Sequence, residues 1–194
     1  SGAYIASGGQ DRVVRVWRVA DGAQLASLEG PVGDTHYVVF AADRIVAGSN
    51  GGTVLAWSRR GETFGPKVLV HQHVGAVTAL AVAGQTVVSA GRDAELARVS
   101  PTGAEVVKLP NAALAVSIDA SGTVRAVTRT ASAIRWNVGG PPAVEIDHGV
   151  RDGVGSGERW IEAFDDGTFV VADTRVRSFD ELRAAIRAAT TFAL

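Results

Sequence analysis

Four stretches of the chain repeat one template: residues 5–17 (IASGGQDRVVRVW), 45–57 (IVAGSNGGTVLAW), 87–99 (VVSAGRDAELARV) and 124–136 (VRAVTRTASAIRW). Their last residues lie 40, 42 and 37 positions apart. Each stretch contains two short apolar runs separated by small or polar residues, which is the pattern of two strands joined by a tight turn. The regular spacing predicts an all-β fold built from repeats of about 40 residues.

The segments between these stretches supply further strands. We predict strands at residues 36–40, 44–47, 53–57 and 67–70 in the second repeat, at 76–83, 86–90, 95–99 and 105–109 in the third, and at 113–118, 123–127, 133–137 and 143–146 in the fourth. Short turns rich in Gly, Asp and Pro connect them. Each repeat is therefore expected to be a four-stranded antiparallel meander, which is the composition of a propeller blade.

The repeats resemble the WD-repeat β-propeller family in the residues that this family buries as a hydrogen-bonded set. The set consists of a His before the first strand, a Ser or Thr in the second, an Asp in the next turn and a Trp in the third. The matching residues are Ser7, Asp11 and Trp17 in the first repeat and His73, Ser89 and Asp93 in the third. The resemblance implies a propeller, and an ordinary sandwich or a solenoid is the alternative.

The resemblance is uneven along the chain. Val99 stands at the Trp position of the third repeat, while the second and fourth repeats keep Trp57 and Trp136 without the complete set. A physical reason supports the matches that remain: a buried Asp needs hydrogen-bond donors, and a His, a Ser hydroxyl and an indole N–H supply them.

The predicted blades cover residues 1–179, in the segments 1–30, 34–70, 72–109, 112–147 and 156–179. The first is partial because it begins at a second strand. The last is partial because residues 159–164 and 168–172 are predicted as its first two strands and no fourth strand follows.

Two accounts of the complete ring stay open. The chain is an incomplete arc of a seven-bladed ring, completed by a second chain or an N-terminal portion of the same protein, or it closes alone as a ring of four or five blades.

A short C-terminal α-helix is predicted over residues 180–191. Ser178 and Glu181 have the spacing of a capping box. Leu182 and Ile186 recur at helical spacing, with Arg183 and Arg187 on the opposite side.

Composition excludes several classes of protein. The net charge is −1, so bulk electrostatics favour neither a nucleic-acid nor a membrane partner. No apolar run approaches the roughly 18 residues that a membrane-spanning helix needs. The chain has no cysteine, which removes disulfides and thiol chemistry. We expect a soluble cytoplasmic protein, and the abundance of Ala, Gly, Val and Arg suggests a bacterial source.

Candidates for chemistry are few. His71 and His73 lie on the same side of an extended segment, but no third metal ligand is evident nearby in the sequence. Asp165 and Asp166 precede Gly167 between two predicted strands, which indicates a turn before it indicates a carboxylate pair. Ser7 and Asp11 belong to residue types of a hydrolase triad, but a Ser buried in a strand has no access to substrate. We therefore predict no catalytic residue, no cofactor and no metal.

One face of the predicted propeller is rich in Arg and aromatic residues. The turns between second and third strands open on this face, and the loops that lead into first strands reach it too. The residues are Arg12, Asn50, Arg92, Arg129 and Arg175 in the turns, and Tyr37, Arg159 and Trp160 in the loops. Arg and aromatic side chains are enriched at the centres of interfaces, so this face is a candidate site for a protein or an acidic peptide. Solvated surface Arg is the simpler alternative.

The sequence therefore favours a non-catalytic interaction or sensing module, the regulatory C-terminal part of a multidomain bacterial protein. The alternative is a propeller enzyme of the hydrolase or lactonase type that works at the central channel, and a third possibility is a purely structural subunit. Fold alone does not separate them.

Overall fold

The computed structural model describes residues 2–41, 43–128, 133–146, 150–156, 159–164 and 169–173. These residues form five antiparallel sheets and no helix. Within the same ranges, no helix is long and apolar enough to cross a membrane. The predicted Asp165–Asp166 turn and the predicted helix over residues 180–191 lie outside the described residues.

The sheets follow one another along the chain, and each is a simple meander. Sheet 1 comprises β1 (Tyr4–Ser7), β2 (Val13–Arg18) and β3 (Gln24–Glu29), and sheet 2 comprises β4 (Thr35–Phe40), β5 (Arg44–Ser49), β6 (Thr53–Arg60) and β7 (Thr63–Gln72). Sheet 3 comprises β8 (Val77–Ala83), β9 (Thr86–Gly91), β10 (Glu95–Ser100) and β11 (Gly103–Lys108). Sheet 4 comprises β12 (Ala113–Ile118), β13 (Val124–Thr128), β14 (Ala133–Trp136) and β15 (Pro142–Ile146), and sheet 5 comprises β16 (Val150–Ser156), β17 (Arg159–Phe164) and β18 (Phe169–Asp173). The all-β prediction is confirmed, with blade-like sheets at the predicted repeats.

The sheets pack face to face. Successive residues of a strand point to opposite faces, so one strand contributes side chains to two different cores. In β5, Ile45 belongs to a core shared with Val14 and Val16 of sheet 1. The next residue, Val46, belongs to a core shared with Val77 of sheet 3. Sheet 2 is therefore buried on both faces, and this explains why its central strands are apolar without alternation.

The same arrangement continues between sheets 3 and 4. Val88 of β9 and Leu96 of β10 pack in one core with Ile118 and Trp136. Trp136 is only 1% exposed. By contrast, Val106 in the outer strand β11 is 47% exposed. In sheets 2 and 3 the two central strands thus carry most of the core, whereas the last strands, β7 and β11, are largely exposed to solvent.

A bulge recurs where the first strand of a sheet meets the second. The register shifts between Thr35 and Tyr37 in sheet 2, between Val77 and Ala79 in sheet 3, and between Ala113 and Ala115 in sheet 4. Sheet 5 has the same shift between Val150 and Asp152. The shared irregularity identifies β16 as the counterpart of β4, β8 and β12.

The strand order of sheet 5 therefore corrects one sequence prediction. Arg159–Phe164 was expected as the first strand of the last repeat, but it is the second, because Val150–Ser156 pairs with it. Phe169–Asp173 is consequently the third strand. β1 of sheet 1 pairs only with β2 among the described strands. β5, at the same place in sheet 2, pairs with β4 and with β6.

Candidate functional site

The predicted His, Ser and Asp of the third repeat meet in one buried cluster. His73 follows β7, Ser89 lies in β9, and Asp93 lies in the turn between β9 and β10. The Nε2 atom of His73 is 2.9 Å from the Oγ atom of Ser89, and its Nδ1 atom is 3.3 Å from the Oδ1 atom of Asp93. His73 is 2% exposed and Ser89 is 1% exposed. The cluster ties the loop before sheet 3 to the second strand and the following turn.

Electrostatics assign the protons of this cluster. Burial lowers the pKa of His73, although Asp93 acts in the opposite direction. Burial tends to raise the pKa of Asp93, but hydrogen bonds from the backbone N–H groups of Glu95 and Val74 outweigh it, so this pKa is lowered. The imidazole is therefore neutral near pH 7, with Nδ1–H donating to the carboxylate and Nε2 accepting from the Ser hydroxyl.

The order Ser89, His73, Asp93 has the connectivity of a hydrolase triad. A nucleophile must also reach its substrate, and a Ser with 1% exposure does not. The cluster can hold the local fold together, and in this conformation it offers no access for acyl transfer.

The predicted set of the first repeat is only partly assembled. The Nε1 atom of Trp17 lies 3.5 Å from the Oγ atom of Ser7, at the limit of a hydrogen bond. The side chain of Asp11 is 47% exposed and pairs instead with Arg15 at 2.6 Å. This ion pair is the main reason that the pKa of Asp11 is lowered. Asp11 also accepts the N–H of Val13, so it shapes its own turn rather than a buried network.

Arg12 and Arg92 are exposed in the predicted turns. Neither guanidinium has a hydrogen bond or an ion pair with any residue that the structure describes. Asn50 lies in the corresponding turn of sheet 2, and both polar atoms of its side chain are hydrogen-bonded to Asp34. Its Oδ1 atom accepts the N–H of Asp34 at 2.8 Å, and its Nδ2 atom donates to the Asp34 carboxylate at 3.1 Å. Among the described turn residues of the predicted face, Arg12 and Arg92 are therefore unpaired cations and Asn50 has a structural role.

The other members of the predicted face are placed differently. Tyr37 is half-buried in β4 and packs against the core between sheets 2 and 3. Arg159 and Trp160 are the first two residues of β17, within the strand predicted over residues 159–164. Arg129 and Arg175 lie outside the described residues.

A shallow groove adjoins Arg92. Its lining residues are Arg92, Ala94, Pro110, Asn111 and Ala112, and its volume is about 390 Å³. It lies where the turn between β9 and β10 approaches the link between β11 and β12. The groove therefore places an unpaired guanidinium beside small and apolar residues.

The structure adds Glu95 to the His71 and His73 pair. The ligand-capable atoms of the three side chains lie within 4.8 Å of one another. Glu95 was not found from the sequence because it lies more than twenty positions from the histidines and reaches them through the packing of sheets 2 and 3. Its position as the first residue of β10, beside the Asp93 turn, is the signal that could have indicated it.

Comparisons with known proteins inform the fold. No protein-family model matches the sequence, and no curated protein matches it either. The computationally designed Ika8 protein is similar in structure, with a TM-score of 0.73 and 21% sequence identity over 89% of this chain and 56% of that protein. The computationally designed Ika4 protein has a TM-score of 0.62 and 22% identity over 72% of this chain and 88% of that protein. The chain thus spans little more than half of Ika8, and both similarities concern fold alone.

Proposed function

We propose that the chain is a non-catalytic interaction module of WD-repeat-like propeller type, which binds an acidic segment of another protein on the face that carries Arg12 and Arg92. The observation that carries this proposal is the pair of exposed guanidinium groups without partners in the described part of the chain. The same proposal includes three expectations from the sequence: a regulatory role, a bacterial source and a cytoplasmic location.

The chemistry of the face favours a carboxylate-bearing partner. Arg presents a planar donor fork that matches a carboxylate, and at an exposed site it has no competing intramolecular bond to break. The groove beside Arg92 supplies small and apolar contact surface, formed by Ala94, Pro110 and Ala112. With a net charge of −1 for the whole chain, attraction of an acidic peptide must come from these local cations.

The propeller enzyme is the weaker alternative. The described cluster with triad-like connectivity has its Ser and His almost fully buried. The first strands β8 and β12, where a channel site would be expected, are composed mainly of Ala, Val, Leu and Ile. These observations support binding over hydrolysis.

Charge reversal tests the proposed face. A fluorescein-labelled peptide rich in Glu and Asp is titrated by fluorescence anisotropy against the wild type, Arg12→Glu, Arg92→Glu and Arg60→Glu. Arg60 is an exposed Arg at the opposite end of the sheets and serves as the matched control. We expect each face variant to weaken binding by about tenfold, equivalent to about 1.4 kcal/mol, and the effect to shrink in high salt. Equal affinity of the four proteins would remove this face from the proposal.

A further inference from the structure

His71, His73 and Glu95 form a compact group of metal-type ligands that the proposed binding face does not use. The two imidazole rings meet edge to face with their centroids 4.5 Å apart. Glu95 approaches from the start of β10, and its side chain is 26% exposed. Two imidazoles and one carboxylate, with one side open to solvent, are a ligand set typical of zinc.

A buried polar atom in this group lacks a partner. The Nε2 atom of His71 is buried and has no hydrogen-bond partner among the described residues. Buried nitrogen atoms are normally satisfied, and leaving one unpaired costs free energy. His73 differs, since both of its ring nitrogens have partners in the Ser89 and Asp93 cluster.

We propose that His71, His73 and Glu95 bind a divalent transition-metal ion, with zinc as the best match. Coordination supplies the missing partner of His71 Nε2, and a water molecule completes a tetrahedral shell. The proposal does not depend on the acidic-peptide site, because neither Arg12 nor Arg92 takes part in it.

Metal binding requires a local rearrangement. Ligand atoms about 2.0–2.2 Å from one Zn²⁺ ion are separated by roughly 3.4 Å in a tetrahedron, so the present group must contract. Glu95 is paired with Lys108, whose Nζ atom lies 3.1 Å from the Glu95 Oε1 atom. His73 must also give up its 3.3 Å contact with Asp93 so that Nδ1 binds the metal, and the ring proton then moves to Nε2, which donates to the Ser89 Oγ atom. The site therefore competes with existing contacts, and removal of Lys108 should strengthen it.

Zinc titration of the untagged chain by isothermal titration calorimetry tests the site directly. The variants are His71→Gln and Glu95→Gln, which remove ligands, and Lys108→Gln, which releases Glu95. His36→Gln is the matched control, because His36 is an exposed histidine in β4 outside the group. His73 is left intact, because its substitution would disturb the buried cluster, and thermal unfolding of each variant confirms that it is folded.

We expect one zinc ion per chain and a tetrahedral Co²⁺ absorption spectrum. Either ligand substitution should weaken binding by at least about tenfold, the loss that follows removal of even a supporting group around a metal. Lys108→Gln should tighten binding by up to about fivefold, because exposed ion pairs contribute little and their loss frees Glu95 for the metal. No stoichiometric zinc binding by the wild type, or equal binding in His36→Gln, His71→Gln and Glu95→Gln, would overturn the proposal.

Discussion

At the residue scale, one turn position recurs with a left-handed backbone. Arg12, Gly52 and Ala94 occupy it in the first three repeats, with φ values of 59°, 82° and 58°. Glycine adopts this conformation without steric cost, whereas an L side chain does not. The third repeat is therefore strained at Ala94, at the turn that holds Asp93.

Substitution of Ala94 with glycine should stabilise the chain. Relief of the left-handed strain is worth about 1–2 kcal/mol, and the greater flexibility of glycine in the unfolded state offsets about 0.5–1 kcal/mol of it. We expect Ala94→Gly to raise the free energy of unfolding by about 0.5–1 kcal/mol in urea denaturation. Gly52→Ala is the reciprocal control and should destabilise, because a Cβ atom there would collide with the carbonyl oxygens of His73 and Gly75. A loss of stability in Ala94→Gly would show that the turn is not strained.

At the element scale, the turn between β12 and β13 is held together by one carboxylate. Asp119 accepts hydrogen bonds from the backbone N–H groups of Ser121 at 2.9 Å and Thr123 at 3.1 Å. The Arg125 guanidinium lies 3.3 Å from its second oxygen. Burial tends to raise the pKa of Asp119, but the bonds from Ser121, Thr123 and Arg125 outweigh burial, and the pKa is lowered.

Because of Asp119, we expect the free energy of unfolding to fall in acid. A carboxyl group with a lowered pKa in the folded state binds fewer protons there than in the unfolded chain. Its contribution to stability is therefore complete above the unfolded pKa, about 3.9, and is lost as the pH falls through the folded value. We expect Asp119→Asn to destabilise at pH 7 and the difference from wild type to shrink towards pH 3, in urea denaturation at each pH. A difference that stays constant across this range would contradict the assignment.

The sequence predicts some elements better than others for physical reasons. β12 coincides with its predicted range of residues 113–118, because a short apolar run bounded by polar turns leaves little choice. β16 was missed because its sequence, VRDGVGS, contains two glycines and few apolar residues. The apolar alternation that reveals a strand is absent there, although backbone pairing with β17 forms the strand.

The candidate site likewise contains residues that the sequence could predict and residues that it could not. The His73, Ser89 and Asp93 cluster could be predicted because a family resemblance fixes its spacing. Glu95 could not, because its approach to His71 depends on how sheets 2 and 3 pack. Asp11 was expected in a buried set but lies exposed, which agrees with the lack of a described first strand beside β1.

At the scale of the whole molecule, the chain has the form of consecutive stacked sheets with an open edge. β1 pairs on one side with β2, and its other side has no partner strand in the described residues. Ile5 in this strand is 56% exposed. Unpaired strands are templates for further pairing. We therefore propose that a second chain or an N-terminal portion of the same protein completes a larger ring, which is the first of the two accounts that the sequence leaves open.

Self-association at β1 tests that proposal. The isolated chain should form concentration-dependent assemblies above its 20.0 kDa mass, measured by native mass spectrometry and light scattering. Ile5→Lys should suppress them, because a charge on an edge strand opposes further pairing. Val138→Lys provides the matched control: Val138 is 62% exposed and lies in the turn between β14 and β15, not on the edge of a strand. A single 20.0 kDa species at every concentration would count against the open arc and favour a self-contained ring.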